Sequence, residues 1–268
     1  HLLADKKEAE SLVASPNESS VTKSTERINT AFVKGLRARI ALYAGGYSQR
    51  ADGTIRLSND PELSPEKMYA IAKQECIEVI NKGSKKLGSF EENFRNLCED
   101  KVVAGGESLW EIPFSDGRGR VLYTFGILHN KADQYTDQNR GGVNGPLPYL
   151  FYDYDVDDVR RDITCIPYDW SNANPSKQQL RSLKSWCFGK LRYEWMKRRV
   201  TSTNDDGINW QYMRLADVYL MAAEAVNELD GISMESLASE GFYSEEIDDL
   251  EAIISIIKRH PMNQFEIK

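Results

Sequence analysis

Residues 209–229, N-W-Q-Y-M-R-L-A-D-V-Y-L-M-A-A-E-A-V-N-E-L, constrain the fold more than any other stretch. Met213, Ala216, Leu220 and Ala223 recur at intervals of three and four, and Tyr212, Tyr219 and Val226 widen the same face. That pattern predicts one amphipathic helix. Ala, Leu, Met and Glu are strong helix formers, and Gly231 just beyond provides a stop. Ala216, Ala222, Ala223 and Ala225 carry so little side chain that a neighbouring helix can come close. Arg214, Asp217 and Glu224 are charges set among apolar residues, which calls for partners within the fold.

Elsewhere the pattern alternates between helix and irregular chain. Residues 1–24 are polar and read as a frayed lead-in. A helix is expected over 25–47, with Ile28, Phe32, Leu36, Ile40 and Tyr43 on one stripe. Ser64-Pro65-Glu66 is a helix start: a capping hydroxyl, a proline at the first position and an early acid. The helix that follows places Met68, Ala72, Cys76 and Val79 inward and stops at Gly83. A shorter helix over 89–100 carries Phe90, Phe94 and Leu97. Residues 107–114 alternate as a short strand, and 121–128 (V-L-Y-T-F-G-I-L) read as a second. From 129 to 185 the chain is rich in Gly, Pro, Asn and Asp with little periodicity, with a return to helix expected over 176–186. An irregular stretch this long is tolerated in a compact domain mainly when it is functional. Residues 190–200 fit strand better than helix because of their aromatics, and 243–258 form an amphipathic helix. Trp110, Trp195 and Trp210, in regular elements, are expected in the core.

Four segments together carry a family resemblance. R-L-A-D-V-Y-L-M-A-A-E-A-V-N-E-L (214–229) closely resembles a helix of the SusD/RagB family, where Arg-x-Ala-Asp-Val-x-Leu-Met-x-Ala-Glu-Ala-x-Asn-Glu recurs. E-S-L-W-E-I-P-F (107–114) looks like that family's Glu-Ser-x-x-Glu-Ile strand. D-D-V-R-R-D-I-T (157–164) resembles its Asp-x-Arg-x-x-x-Thr element, and K-G-L-R-A-R-I-A-L-Y-A-G (34–45) a helix of its tetratricopeptide-like half. The resemblance implies a mostly α, SusD-like fold: a tetratricopeptide-like helical scaffold plus a loop-rich region with a few short strands. Within one 1–268 domain it implies a lead-in (1–24), a helical scaffold (25–104), a loop-rich ligand region (105–206) and a further helical part (207–259). It further implies non-catalytic capture of an oligosaccharide at the outer-membrane surface of Bacteroidetes. The partner would be a SusC-like TonB-dependent transporter. The resemblance would also mean that the signal peptide, the lipid-attachment Cys and the first helical repeats are absent from this sequence, and that the carboxyl-terminal region is shortened. Arg160 and Arg161 match the family's structural Arg region and are read as loop-pinning ion pairs.

Composition bounds the alternatives. At 268 residues the chain is long enough for a substantial core, and a net charge of −7 argues against nucleic acid as partner. No run approaches the roughly 18 apolar residues of a membrane span; the resemblance implies membrane attachment only through a lipid anchor absent from this sequence. Cys76, Cys98, Cys165 and Cys187 form no C-x-x-C pair, which makes zinc improbable; they are read as buried thiols, with a Cys165–Cys187 bridge open in an oxidising setting. The three histidines are isolated, and no nucleophile elbow, P-loop or dinucleotide fingerprint appears. Asp153, Asp155 and Asp157 reproduce the first three ligand positions of a calcium loop, but Asp158 replaces its glycine and Thr164 its final Glu, which excludes an EF-hand. A looser Ca2+ site stays open, and no other cofactor is expected.

The positive signal is aromatic. Tyr135, Tyr149, Phe151, Tyr152, Tyr154, Tyr168, Trp170 and Trp186 are interleaved with Asn139, Arg140, Asn144, Asp169, Asn172 and Asn174. A sugar ring offers an apolar C–H face to aromatic platforms and a fringe of hydroxyls to Asn, Asp and Arg. Trp170, in an apparent polar turn, is the foremost stacking candidate. Tyr135, Asn139, Arg140, Asn144, Tyr149, Tyr168, Asp169 and Asn172 complete the expected ligand set. Tyr149, Phe151 and Tyr152 also suit a role as loop anchors. Rival readings are a RagB-like peptide binder, a glycan-cleaving enzyme built on paired acids, and a purely structural helical adaptor.

Overall fold

Helix predominates among the residues described by the computed structural model, which are 1–102, 104–115, 117–201 and 207–230. The helix expected over 243–258 lies outside them. In chain order the helices are α1 (Leu2–Ala9), α2 (Thr30–Gly45), α3 (Pro65–Asn81), α4 (Phe90–Cys98), α5 (Val121–Phe125), α6 (Pro148–Asp153), α7 (Val159–Thr164) and α8 (Leu215–Asp230). The strands are short: β1 (Ser48–Gln49), β2 (Ile55–Arg56), β3 (Ser108–Ile112), β4 (Cys165–Ile166), β5 (Tyr168–Trp170), β6 (Gln178–Leu180), β7 (Cys187–Phe188) and β8 (Trp210–Arg214). They pair two by two, β1 with β2, β3 with β8, β4 with β7 and β5 with β6. The chain divides into two compact units, one of 1–87, 107–110 and 213 onward, the other of 88–106 and 111–212.

The first unit is a stack of helices in which α3 packs on both α2 and α8. α2 begins later than its pattern suggests because Asn29 caps it, its side chain accepting from the Phe32 amide at 3.1 Å while its own amide donates to the Leu109 carbonyl at 3.0 Å. The inward face also differs from the expected stripe. Ile28 and Tyr43 are exposed, whereas Ala31, Phe32, Ala38, Ala41 and Leu42 are buried. Close approach explains this. A Cβ on Gly45 would lie 2.4 Å from Met68 Cβ, and one on Gly35 would lie 2.6 Å from Met213 Sδ. Small residues therefore share the packed face with Phe32, Val33 and Leu42, while Ile28 and Tyr43 lie outside it. α3 follows its sequence signals: Ser64 caps it, and Met68, Ala72, Cys76 and Val79 are buried.

The expected helix over 209–229 is a strand followed by a helix. Its first residues form β8, and α8 starts at Leu215, where the Asp217 carboxylate accepts from the Arg214 amide at 2.9 Å. Arg214 reaches Glu107 at 2.7 Å, so the charges do find partners. Met213, Tyr219, Ala223 and Val226 are buried as expected, whereas Tyr212 and Leu220 are exposed and Val218, Ala222 and Ala225 are buried in addition. Trp210, expected in the core, is also exposed, standing at a strand position rather than on a helix face.

Residues 1–24 correct a further expectation, since they contain α1 rather than only frayed chain. α1 has no fully buried residue; Leu3 packs on the edge of the apolar cluster, and polar contacts hold the rest. Lys7 reaches Glu75 at 3.4 Å, Glu10 meets Lys34 at 2.7 Å, and Arg37 donates to the Leu3 carbonyl at 3.0 Å. The fully buried Glu75 also receives Lys34 at 3.2 Å and Arg37.

The second unit has two apolar clusters. One joins Phe94, Leu97 and Cys98 of α4 to Val121, Leu122, Tyr193, Trp195, Val200 and Ile208. The other consists of Ile127, Ile166, Trp170 and Cys187. Three local expectations change here. Residues 121–125 are helix rather than strand, and 178–180 are strand rather than helix. Between 190 and 200 the regular element is a single 3-10 turn, Tyr193–Trp195. Leu191, Tyr193 and Trp195 are buried in alternation with Arg192 and Glu194, so the period of two is present without a partner strand. Propensity had read burial correctly and pairing incorrectly. The four cysteines are buried free thiols. In the β4–β7 register Cys165 opposes Phe188 and Ile166 opposes Cys187, which sends the two thiols to opposite faces of the ladder.

Candidate functional site

The loop-rich part of the second unit has an interior and a rim, and the expected ligand residues are divided between them. The interior is built on His129, which is 0% exposed. Its backbone pairs with Arg140 in both directions, at 2.8 and 3.1 Å, closing the intervening loop. Gly141 permits this closure. Its φ is +79°, and a Cβ there would lie 2.1 Å from the Ile127 carbonyl oxygen. The His129 ring stacks on Trp170 with centroids 5.8 Å apart and meets the edges of Tyr135 and Tyr193. Tyr135 lies 4.9 Å from Trp170, and Tyr168 meets Trp170 edge-on at 6.3 Å.

Polar groups hold this aromatic box. His129 Nδ1 lies 2.7 Å from Asp133 Oδ2, and Asp133 Oδ1 accepts from the Tyr135 and Thr136 amides. Burial pushes the Asp133 carboxyl up, but the His129 hydrogen bond and those amides outweigh it and hold the group below the usual carboxylate range. On the far side of the ring, Nε2 and Glu194 Oε2 are 3.9 Å apart, both enclosed and without a hydrogen-bond partner. Glu194 Oε1 accepts from the Tyr168 hydroxyl at 3.1 Å. Burial, reinforced by the charge of Glu194, raises the Tyr168 phenol well above its ordinary value. A histidine oriented by a carboxylate has the arrangement of a general base. This ring is sealed from solvent and has no reach to a substrate, so its work here is to order the loop.

The interior corrects the foremost expectation. Trp170 is only 8% exposed and belongs to a core cluster, so it is not an open stacking platform. The apparent polar turn around it is strand β5, and its flanking Asp169 is itself buried, paired with Arg181 at 3.1 Å. Arg140 is likewise buried, with Asp137 at 2.6 Å. Tyr135 and Tyr168 are half-buried in the same aromatic group. Trp170, Asp169 and Arg140 are thus withdrawn from an exposed ligand surface, while Tyr135 and Tyr168 keep part of theirs.

Of the expected set, the rim retains Asn139, Asn144, Tyr149 and Asn172, all exposed. α6 organises it. Pro148 pre-sets the first turn, and Phe151 points inward, its ring edge-on to Trp186 at 4.9 Å with the Arg161 guanidinium 4.9 Å from its centroid. The spacing of three then places Tyr149 and Tyr152 together on the helix surface, 77% and 69% exposed. Phe151 alone of the three expected anchors is an anchor. Tyr152, expected as an anchor, is exposed beside Tyr149 instead. Val143, Leu147, Val156 and Val159, before and after α6 in sequence, are also exposed.

Arg160 pairs with Asp158 at 2.5 Å and Arg161 with Asp162 at 2.8 Å; both are ion pairs, but with near neighbours in sequence rather than across the loop. Asp158 also caps α7 by accepting from the Arg160 amide. Among the described residues, three carboxylates are gathered at Glu10, Glu75 and Glu78 rather than at Asp153, Asp155 and Asp157. There the Lys34 ammonium meets all three, at 2.7, 3.2 and 2.6 Å. A cavity of about 390 Å³ elsewhere in the second unit is lined by Cys98, Phe114, Met196, Lys197 and Ile208 among others, and by none of the loop aromatics.

Comparisons with known proteins agree with this architecture. The family model described as SusD family matches residues 166–244. No curated protein matches the chain in sequence. Among solved structures, a SusD homolog from Bacteroides thetaiotaomicron has 18% identity and a TM-score of 0.64, covering 94% of this chain and 48% of its own. A structure with xylogluco-oligosaccharide has 17% identity and a TM-score of 0.61, with 94% and 52% covered. Surface glycan-binding protein A from Bacteroides thetaiotaomicron, in complex with laminarihexaose, has 16% identity and a TM-score of 0.53, with 96% and 58% covered. The chain thus spans about half the length of the solved structures it matches.

Proposed function

We propose that the chain, which has a SusD-like fold and matches the SusD family model over residues 166–244, is a member of the SusD/RagB family that binds an oligosaccharide without cleaving it and presents it to a SusC-like TonB-dependent transporter at the bacterial outer-membrane surface. The observation that carries the reading is the α6 rim. Tyr149 and Tyr152 present two rings outward from a helix fixed beneath by Phe151 on Trp186. A pre-fixed aromatic pair can bury the C–H face of a sugar while paying little ordering entropy. The exposed Asn139 and Asn144 amides supply donors and acceptors for hydroxyls. Structural relatives bound to xylogluco-oligosaccharide and to laminarihexaose support a glycan as the ligand class. Attachment through a lipid anchor would place the protein above its transporter.

Calorimetric titration with xyloglucan, laminarin, amylose and galactomannan, beside a mixed peptide digest, tests the reading. Saturable heat with a glycan, no new reducing ends, and loss of that heat in Tyr149→Ala and Tyr152→Ala are the expected results. Truncating a central aromatic contact costs roughly 1–3 kcal/mol, or about 5- to 150-fold in affinity. Heat from peptides alone would replace the reading with peptide capture, and new reducing ends would replace it with an enzyme.

A further inference from the structure

The β5–β6 hairpin is covered on one side and open on the other. Its register sets Tyr168 against Leu180, Asp169 against Gln179 and Trp170 against Gln178. The Arg181 amide donates to the Pro167 carbonyl at 2.9 Å and the Ser171 amide to the Lys177 carbonyl at 2.8 Å. Bonded and non-bonded pairs alternate along an antiparallel ladder, so the bonded pair between these two is Asp169 with Gln179. Trp170 agrees: its amide donates to the Leu128 carbonyl at 2.9 Å and its carbonyl accepts from the Asn130 amide at 3.1 Å, both away from β6. By the same alternation the N–H and C=O groups of Gln178 and Leu180 point away from β5. Among the described residues no strand pairs with β6 on that side. Residues 177–180 are all exposed, Leu180 to 85%. Over 171–190 the chain carries four cations and no acid. Arg181 is committed to Asp169, and Lys190 lies over Phe90 and Phe94. Lys177, just before β6, and Lys184, four residues after it, are exposed.

We infer that the outer edge of β6 docks an extended, acidic peptide segment of a partner protein, which joins the hairpin as a further strand. Gln178 and Leu180 offer two N–H and two C=O groups at strand spacing, and the Leu180 side chain offers an apolar contact to an alternate residue of the segment. Lys177 and Lys184 meet flanking Asp or Glu. A second copy of this chain fits the edge poorly. Three residues make a short strand, and flanking cations are a device that keeps edges from pairing with themselves. Two such edges would bring cation to cation, whereas an acidic segment brings complementary charge. Glycan capture at Tyr149 and Tyr152 neither requires this edge nor is required by it.

The probe is a short synthetic peptide of alternating Glu and Val, blocked at both ends, titrated into the full chain while backbone amide signals are followed by NMR. Saturable shifts centred on Gln178 and Leu180 are expected. The same peptide N-methylated on its inner amides cannot complete the ladder and should bind at least about tenfold more weakly. Leu180→Pro removes only an outward N–H, which an edge strand tolerates, and should weaken the unmethylated peptide by a similar factor. Lys177→Glu with Lys184→Glu should exchange the preference for a peptide of alternating Lys and Val. Equal binding of the N-methylated peptide, shifts confined to residues outside 177–181, or undiminished binding to a folded Leu180→Pro protein would each overturn the proposal. So would silence with both peptides, or self-association of the chain that Leu180→Pro abolishes, which would assign the edge to a second copy. Should Leu180→Pro not fold, the N-methylated peptide on the unaltered chain decides.

Discussion

The two units solve the same problem, a polar side chain at zero exposure, in opposite ways. Glu75 of the helical unit is surrounded by charge: Lys7, Lys34 and Arg37 all reach it, and the network ties α1 to α2 and α3. His129 of the loop-rich unit is surrounded by rings, with Asp133 on one nitrogen and Glu194 3.9 Å from the other. Burial works to lower the Lys34 pKa, but the hydrogen bonds it donates to Glu10 and Glu78 and the charge of Glu75 outweigh it and raise the group well above its ordinary value. The comparison teaches where each unit gets its order. Helices are ordered by their own backbone ladders and can be joined by ion pairs, whereas a long irregular loop has no ladder and is ordered by a central packed group.

The largest expected effect breaks the first half of that comparison. Glu75→Ala leaves Lys34 and Arg37 partly buried without their shared carboxylate, and should cost about 3–5 kcal/mol in denaturant unfolding. Loss of α1 protection in amide exchange should accompany it, since α1 has no buried residue of its own. An effect below about 1 kcal/mol would mean that the network is a surface feature. Trp170→Ala breaks the second half. Removing a ring packed on His129, Tyr135 and Tyr168 should cost about 3–4 kcal/mol, and glycan affinity measured well below the melting transition should change little. Tyr149→Ala should do the reverse. Stability should stay within about 0.5 kcal/mol, because the side chain is exposed, while glycan affinity falls by roughly 1–3 kcal/mol. A Tyr149→Ala protein with reduced stability and unchanged binding would return the rim to a structural role.

That contrast between Trp170 and Tyr149 also marks the limit of what the sequence makes legible. Caps and periodicity are local, so Ser64-Pro65 at α3, Ser89 at α4 and most of α8 can be read directly. The inward faces of α2 and α8 are harder, because Gly35, Ala38, Ala41 and Ala222 face neighbours distant in sequence and outrank the larger Ile28, Tyr43 and Leu220. In the loop region the ligand set contains Tyr149 but ranks Trp170 first. Polar neighbours in sequence imply exposure only when their own partners are local. Asp169 has its partner twelve residues away in Arg181, which carries both Asp169 and Trp170 into the interior. Conversely, nothing local distinguishes Phe151 from Tyr149 and Tyr152; the Trp186 and Arg161 contacts do so.

The smallest expected effect sharpens the comparison through pH. The Asp133 pKa is lowered in the folded chain. Such a group contributes stability that is present above its unfolded pKa of about 3.9 and is lost as pH falls through the folded value. Glu10 and Glu78 act with the same sign in the helical unit: burial pushes each up, and their hydrogen bonds with Lys34 hold each down. Both units should therefore be insensitive to pH near neutrality and weaken below about pH 4. They should differ in what removes the dependence. Asp133→Asn takes away a titrating group of the aromatic box, so amide exchange around 129–140 should lose part of its acid dependence, a displacement of about 0.5 pH unit. Exchange in α2 and α3 should keep its dependence in that variant and lose most of it in Lys34→Met, which removes the cation that, ahead of Lys7, lowers both Glu10 and Glu78. If either variant shifted the acid response of both segments equally, the charged helical network and the aromatic loop centre would be one cooperative element, and the contrast between them would not hold.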